Sequence, residues 1–522
     1  MSEARFTEGS TMRHVVVMTG TGAVGLMALF LVDAVNLFYV SLLGQEELAA
    51  AIGFAGTFQF FLISVSIGLA IAAGAVISRL IGAGDRAGAR EAAGSAIIVL
   101  VSALTVVATA AMVLRHDGLA LLGAEGRTLD LAAGFLAIVV PSMPLLGIGM
   151  VASGLLRAAG DARRAMNVTL FGGLVAAVLD PVLIFGLGLG LDGAAVASVF
   201  ARLAIAALGL SYVIRQHDLL AMPSVGRFVA DGRALLAIAA PAVATQLSTP
   251  FGNAYLTRIV AEHGDEAVAG WAVVGRLSAV AFGGLFALSG AVGPILGQNR
   301  GAGRIDRIQS AYRDALIFTA LYTAVVWAVL WLCTPFILQG FGVQGPGVAV
   351  VQAFTTYGAA AWLFSGWLFV SNAACNNLGR PVWSTGFNWT RDGAVIPLLA
   401  LAAGTLAFGG AAEAVMVQAI AALLLGSVAV SVTRRSLMAR LDDAVAPAGP
   451  VLPPVAPFGI SLLTRIVSEL CDVDVSGLAV VGLLSVVALC GLFALSGAVG
   501  PILGQNRGAG RIDRIQSAYR DA

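Results

Sequence analysis

The sequence predicts an all-α membrane protein: twelve transmembrane helices in two pseudo-symmetric six-helix bundles, followed by an aberrant C-terminal appendage. Three observations carry that expectation. The chain is 59% hydrophobic and only 11% charged over 522 residues, with a mean hydropathy of +0.92, whereas an ordinary soluble domain is about 25% charged. It repeats apolar runs of the roughly 20 residues that a bilayer core about 30 Å thick requires at about 1.5 Å per residue. Its arginines fall on alternate connections between those runs, the pattern that positive charge on cytoplasmic loops produces.

In order, the runs cover residues 15–43, 50–80, 92–114, 129–156, 165–190, 193–214, 234–261, 267–298, 308–335, 347–376, 383–409 and 411–433. The first is too long for a removed signal peptide and lacks a small-residue cleavage site. On span 2, Phe58, Phe60 and Phe61 could stack on a planar cation or simply pack against core or lipid. Span 4 holds Pro141 and Pro144, which should kink it. In span 5, Asp180 precedes Pro181. That pair reads either as the cap and first residue of a helix restarted after a break, or as a functional intramembrane carboxylate. Span 6 carries Ser198 and, one turn on, Arg202, a possible charge partner for Asp180. Span 7 carries Asn253, and Arg258 near its outer end should snorkel. Arg276 in span 8 and Arg391 with Asp392 in span 11 are further intramembrane charges, for which mutual pairing is the ordinary outcome. Asn253, Arg276 and Asp392 are also the candidates for lining a cleft in the second half.

Connections after the even-numbered spans carry Arg79, Arg86 and Arg90; Arg157, Arg163 and Arg164; Arg215, Arg227 and Arg233; Arg300, Arg304 and Arg307; Arg380; and Arg434, Arg435 and Arg440. The opposite connections hold Glu46, Glu47, Asp192, Asp265, Glu266 and Glu413, with Arg115 and Arg127 as exceptions. The N-terminus and the even-numbered loops are therefore expected on the cytoplasmic side.

Absences narrow the function. All 30 basic residues are Arg and none is Lys, so the chain has neither a Walker A loop nor Schiff-base chemistry. His14, His116, His217 and His263 form no metal-ligand spacing, and Cys333, Cys375, Cys471 and Cys490 form no CxxC. No enzyme, cofactor or metal centre is expected, and a net charge of +1 gives no reason for a nucleic-acid partner.

The halves echo each other at an offset near 220: Gly74 with Gly293, Gly82-Ala83-Gly84 with Gly301-Ala302-Gly303, and Gly44-x-Glu46 with Gly264-x-Glu266. Six spans per half is even, so the copies face the same way about an axis along the membrane normal and enclose a cleft. The expected organisation is an N-terminal segment 1–14, an N-lobe 15–214, a linker 215–233, a C-lobe 234–440, a Pro-rich linker 441–457 and a tail 458–522. The tail partly duplicates residues 251–315: Gly491 to Ala522 repeats Gly284 to Ala315 without a difference, and Pro457 to Cys490 matches Pro250 to Gly283 at 20 of 34 positions. A single crossing would place Arg507, Arg511, Arg514 and Arg520 outside, so a poorly packed or re-entrant tail is expected.

Several segments resemble the multidrug and toxic compound extrusion (MATE) family of secondary transporters. They are Val32-Asp33-Ala34 leading to Leu43-Gly44-x-Glu46-Glu47-Leu48-Ala49-Ala50; Gly154-Leu155-Leu156-Arg157-Ala158-Ala159-Gly160-Asp161; Leu179-Asp180-Pro181 through Gly186; Gly193 to Ser198; Gly297-Gln298-Asn299-x-Gly301-Ala302-Gly303; and Arg391 with Ile396-Pro397. The resemblance covers about residues 10 to 440 and implies a cleft that alternates in access, exporting organic, often cationic, compounds against inward proton or sodium flow. It also implies a cation site on Asp33 and Asp180, with Ser198 nearby. Where the family often has Asn, one turn before the second carboxylate, this chain has Ala176, which favours protons over sodium. The acidic residue that one branch carries on helix seven is absent, with Ser248 and Thr249 nearby, so the chain looks closer to the DinF-like branch.

Residue spacing alone puts Asp33 and Asp180 each about ten residues, roughly 15 Å, from the outer end of an outward-running span. A buried carboxylate there should face the bundle interior and hold a proton more readily. Asn36, one turn from Asp33, is either a ligand or an interhelical hydrogen-bonding group. The expected protein is a monomeric, multi-pass cell-membrane antiporter of small molecules, in contact with membrane lipid. The rivals are a lipid-linked sugar or polysaccharide flippase of the same superfamily, a membrane-embedded enzyme, and a non-functional duplicate.

Overall fold

The computed structural model describes residues 4–41, 46–122, 124–405 and 410–438. Within these, the side chains of residues 29, 31, 33–38, 40, 41, 46, 47, 49, 50, 265, 404, 405 and 436–438 are not described. The 458–522 tail lies outside the described residues.

After a short 3-10 turn at Arg5–Thr7, the first half comprises α1 (Thr11–Ser41), α2 (Glu46–Gly82), α3 (Arg86–Val113), α4 (Arg115–Leu121), α5 (Gly126–Val139), α6 (Met143–Ala158), α7 (Ala162–Pro181) and α8 (Gly190–Ser211). The second half comprises α9 (Val225–Ala261), α10 (Asp265–Ala281), α11 (Gly283–Gly301), α12 (Ile305–Leu332), α13 (Thr334–Gly340), α14 (Pro346–Ala353), α15 (Ala359–Asn377), α16 (Pro381–Trp389), α17 (Ile396–Thr405) and α18 (Glu413–Val432). Among the described residues nine helical runs are long and apolar enough to cross a membrane, and the bent pair α10 and α11 makes ten. With α1 and the continuous run from α16 to α17, the twelve crossings form two six-helix bundles.

The two halves stop and start in step. α2 ends at Gly82 and α11 at Gly301, and both bounds of α3 and α12, and of α4 and α13, differ by the same 219 residues. The stop signal is local. Gly84 and Gly303 have φ of 76° and 68°, the left-handed conformation that glycine adopts without a Cβ penalty. The amides that follow each glycine fold back, Asp85 to the Leu80 carbonyl at 3.0 Å and Arg304 to the Asn299 carbonyl at 2.8 Å. Polar caps then restart the chain: Asp85, Asp161 and Ser224 accept from the amides of Gly88, Arg164 and Arg227.

Several spans are interrupted, span 4 where its prolines are expected to kink it. Span 8 is two helices meeting at 44° around Phe282 and Gly283. Pro141 lies within a single 3-10 turn, Val140–Ser142, and Pro144 starts the helix that follows, so span 4 breaks where the prolines remove backbone donors. Span 5 does not restart at Pro181: α7 runs through Asp180 and Pro181 and widens into a π-helical turn at Val182–Gly186. A wider turn absorbs the hydrogen bond that proline cannot donate, so Asp180 is not a helix cap. Similar π turns interrupt spans 10 and 11 at Phe354–Gly358 and Thr390–Val395.

The N-lobe core rests on two apolar clusters, with Leu100, Leu104, Leu155, Leu156, Val168 and Val213 fully buried in one and Leu119, Leu136, Val139, Met143 and Ile184 in the other. α1 packs between α7 of its own lobe and α11 of the other, and α2 packs on α6, α9 and α11.

Candidate functional site

Asp180 is 1% exposed on α7, one of few carboxylates buried inside a span. Its neighbours follow from helix register. Gly193 of α8 lies against Leu183 and Ile184, and Gly172 of α7 lies against Ile205. Read along antiparallel helices, these contacts place Ser198 within about one turn of the level of Asp180, and Arg202 about one and a half turns, roughly 8 Å, away. Ser198 donates to the Ala194 carbonyl at 3.0 Å. Arg202 does not pair with Asp180. It donates to the Val139 carbonyl at 2.9 Å, Ser142 Oγ at 3.0 Å and Gln59 Oε1 at 2.7 Å, tying α8 and α2 to the freed carbonyl of the proline break. Ser142 Oγ also donates to that carbonyl, at 2.7 Å, so hydroxyl and guanidinium share the acceptor.

Asp33 and Asn36 lie on α1, and their side chains fall outside the described residues. The α1 to α7 register is set by Gly25 against Met166 and Thr169, and by Val32 against Gly173 at 3.2 Å. At about 1.5 Å per residue this puts the backbone of Asp33 about 9 Å from the level of Asp180, with Asn36 about midway.

In the C-lobe, Arg391 and Asp392 form a buried ion pair, Nε to Oδ1 at 2.6 Å and Nη2 to Oδ2 at 2.9 Å. Ser248 of α9 donates to the same carboxylate at 2.9 Å. Both residues lie in the π turn at Thr390–Val395. Arg276 takes no part in that pairing: it is exposed on α10 and makes no ion pair among the described residues. Asn253 and Arg258 are also exposed. Phe58 packs against Gly118 of α4, while Phe60 and Phe61 are exposed.

The lobes meet most closely at the arginine-rich end. A methyl group on Gly82 would overlap the Gln298 carbonyl, and one on Gly301 would overlap the Arg79 carbonyl. Each glycine sits on the carbonyl of the residue three positions before the other, so the contact is reciprocal. The N-terminal segment fills the seam. Phe6 is 2% exposed, its amide donates to Gln298 Oε1 at 3.0 Å, and its carbonyl accepts from Asn299 Nδ2 at 3.1 Å and Arg307 Nη2 at 2.8 Å. Gln298 Nε2 donates in turn to the Ala158 carbonyl of the N-lobe at 2.7 Å. Ser95 of α3 donates to Asp231 of α9 across the same seam at 3.2 Å. Sequence reasoning singled out the glycines here but not Phe6, because nothing local marks a terminal segment for burial.

Just outside the spans, Asp161 ties the corner between α6 and α7 to His217, beyond the end of α8, at 2.9 Å, and pairs with Arg164 of α7. Burial pushes its carboxyl up, but the hydrogen bonds from His217 and Arg164 outweigh it and hold the group well below the usual carboxylate range.

Comparison with known proteins agrees with this architecture. The profile of the MatE family matches residues 23–182 and 241–401, one stretch in each half. The chain is 29% identical to a FAD transporter of Shewanella oneidensis over 59% of its own length and 69% of that protein, and 25% identical to the multidrug export protein MepA of Staphylococcus aureus over 49% and 57%. It thus spans little more than half of the MepA relative. A solved MOP superfamily transporter from Pyrococcus furiosus superposes with a TM-score of 0.79 at 19% identity, covering 85% of this chain and 99% of that one. With twelve crossings in two like bundles and the family profile matched in both, the chain is a membrane transporter of the MatE family.

Proposed function

We propose that the protein is a secondary active antiporter of the cell membrane, exporting organic, often amphipathic or cationic, compounds in exchange for protons. The observation that carries the reading is Asp180, a carboxylate 1% exposed on α7 beside a π turn. Such a group costs several kcal/mol to keep charged in a dry wall, so gaining a proton alters its hydrogen bonding and the packing of its helix. Asp33 and Asn36 on the facing helix, and Ser198 on α8, are its proposed partners. The named activities of the relatives, multidrug export and FAD transport, support an organic substrate.

In this reading the lobes are residues 15–214 and 234–440, the arginine-rich end is cytoplasmic, the protein is a monomer needing no cofactor, and the sealed seam belongs to the outward-open state. Each ligand must favour a different state, since equal affinity for both shifts nothing. Efflux from vesicles under imposed pH or sodium gradients tests it. Proton-driven efflux should be lost in folded Asp180→Asn and weakened in Asp33→Asn. Efflux that keeps its pH dependence in both variants refutes the assignment, and efflux driven by sodium alone refutes the choice of ion.

A further inference from the structure

Arg202 and Arg391, both buried, are held by named acceptors, whereas the half-buried side chain of Arg157, near the end of α6, makes no hydrogen bond or ion pair among the described residues. Its side chain reaches across to the other lobe: a methyl built on Gly290 of α11 would stand 3.9 Å from Arg157 Nε. Gly290 is itself exposed although α11 is packed on several sides, and no side chain or other helix comes within 4 Å of where a Cβ on Gly74 of α2 would be. These residues therefore border open space between the lobes, above the seam made by Gly82, Gln298 and Gly301.

One turn up the same face of α11 stands Phe286, 39% exposed. It makes an edge contact with Trp362 at 5.7 Å and lies 5.4 Å from Phe369, both on α15. Trp362 also stacks on Phe282 at 4.6 Å. The C-lobe thus sets an aromatic wall one helical turn, about 6 Å along α11, from Gly290, where the N-lobe supplies a guanidinium with no partner among the described residues. A guanidinium removed from bulk water and lacking an acid favours an anion, and exposed ring faces favour a planar partner.

Building on the export reading, we propose that the floor of the inter-lobe cleft binds an organic anion carrying a planar aromatic ring. The anionic group sits on Arg157 and the ring against Phe286, Trp362 and Phe369. Because the two contacts come from different lobes, the ligand bridges them.

The test is titration of the purified full-length chain in phosphatidylcholine nanodiscs with riboflavin and with riboflavin 5′-phosphate, which share one ring and differ by one anionic group. The phosphate should bind at least about tenfold more tightly. Arg157→Gln should remove that preference while leaving riboflavin binding within about twofold, Arg157→Lys should keep most of it, and Phe286→Ala should weaken both ligands alike. Equal binding of the two flavins by the unaltered chain, or a preference that survives Arg157→Gln, overturns the proposal. Loss of proton-driven efflux with the flavin preference intact overturns only the export reading, since the binding assay needs no gradient.

Discussion

Gly301→Ala puts the seam under direct strain. The added methyl would stand 2.7 Å from the Ala83 amide nitrogen and 2.9 Å from the Arg79 carbonyl carbon, besides overlapping the Arg79 oxygen. All three are backbone atoms of the end of α2, so no side chain can swing away. Ordinary contacts begin near 3.5 Å, and α2 and α11 must therefore part by about 1 Å at this level. Overpacking of that size costs about 1–3 kcal/mol. If the sealed state alone bears the cost, its population relative to unsealed states falls roughly 5- to 150-fold. Spin labels at Ala87→Cys and Gln309→Cys, exposed positions near the starts of α3 and α12, in a chain whose native cysteines are replaced, report the seam by pulsed electron resonance. A longer-distance component should grow in Gly301→Ala, and Gly82→Ala should match it because the contact is reciprocal. An unchanged distance distribution in well-folded Gly301→Ala would refute the clamp.

Arg202→Ala should destabilise the N-lobe by about 3 kcal/mol, because Gln59, Ser142 and the Val139 carbonyl lose a buried donor; a thermal unfolding midpoint equal to that of the parent contradicts it. Asp392→Ala should cost about 3–5 kcal/mol by stranding Arg391, Ser248→Ala about 1 kcal/mol, and Arg391→Leu combined with Asp392→Ala should recover most of the first loss in the same unfolding assay. Asp161 titrates below its unfolded value, so its stabilisation is present above the ordinary carboxylate range and is lost as pH falls toward the folded pKa. The drop in melting temperature between pH 7 and pH 3 should thus be smaller in Asp161→Asn than in the parent.

The sequence exposed much of this fold because its signals are short-range. Apolar run length marked the crossings, Arg placement marked one end, and the glycine triplets at 82–84 and 301–303 marked helix stops that the structure shares between halves. The π turns escaped notice, since no local pattern of side chains is common to Val182–Gly186, Phe354–Gly358 and Thr390–Val395. The suggested pairing of Arg202 with Asp180 failed for a similar reason: shared helix face and matching depth do not fix register, and the proline break in span 4 offered the guanidinium a nearer carbonyl. Phe6 was invisible because its burial depends on Gln298 and Asn299, almost 300 residues away.

The reciprocal seating of Gly82 and Gly301 has an evolutionary reading. A surface that touches its own equivalent through a two-fold axis is the geometry by which two copies of a half-length chain form a closed dimer, with each copy lending the other the same glycine step. Fusion of the copies frees them to diverge away from that step, and position 157 records it: the equivalent residue in the second half is Asn376, an uncharged amide that accepts from Ser384. Descent from a symmetric pair thus leaves a guanidinium in one half where the other has an amide, so a molecule bound as proposed has a single way round.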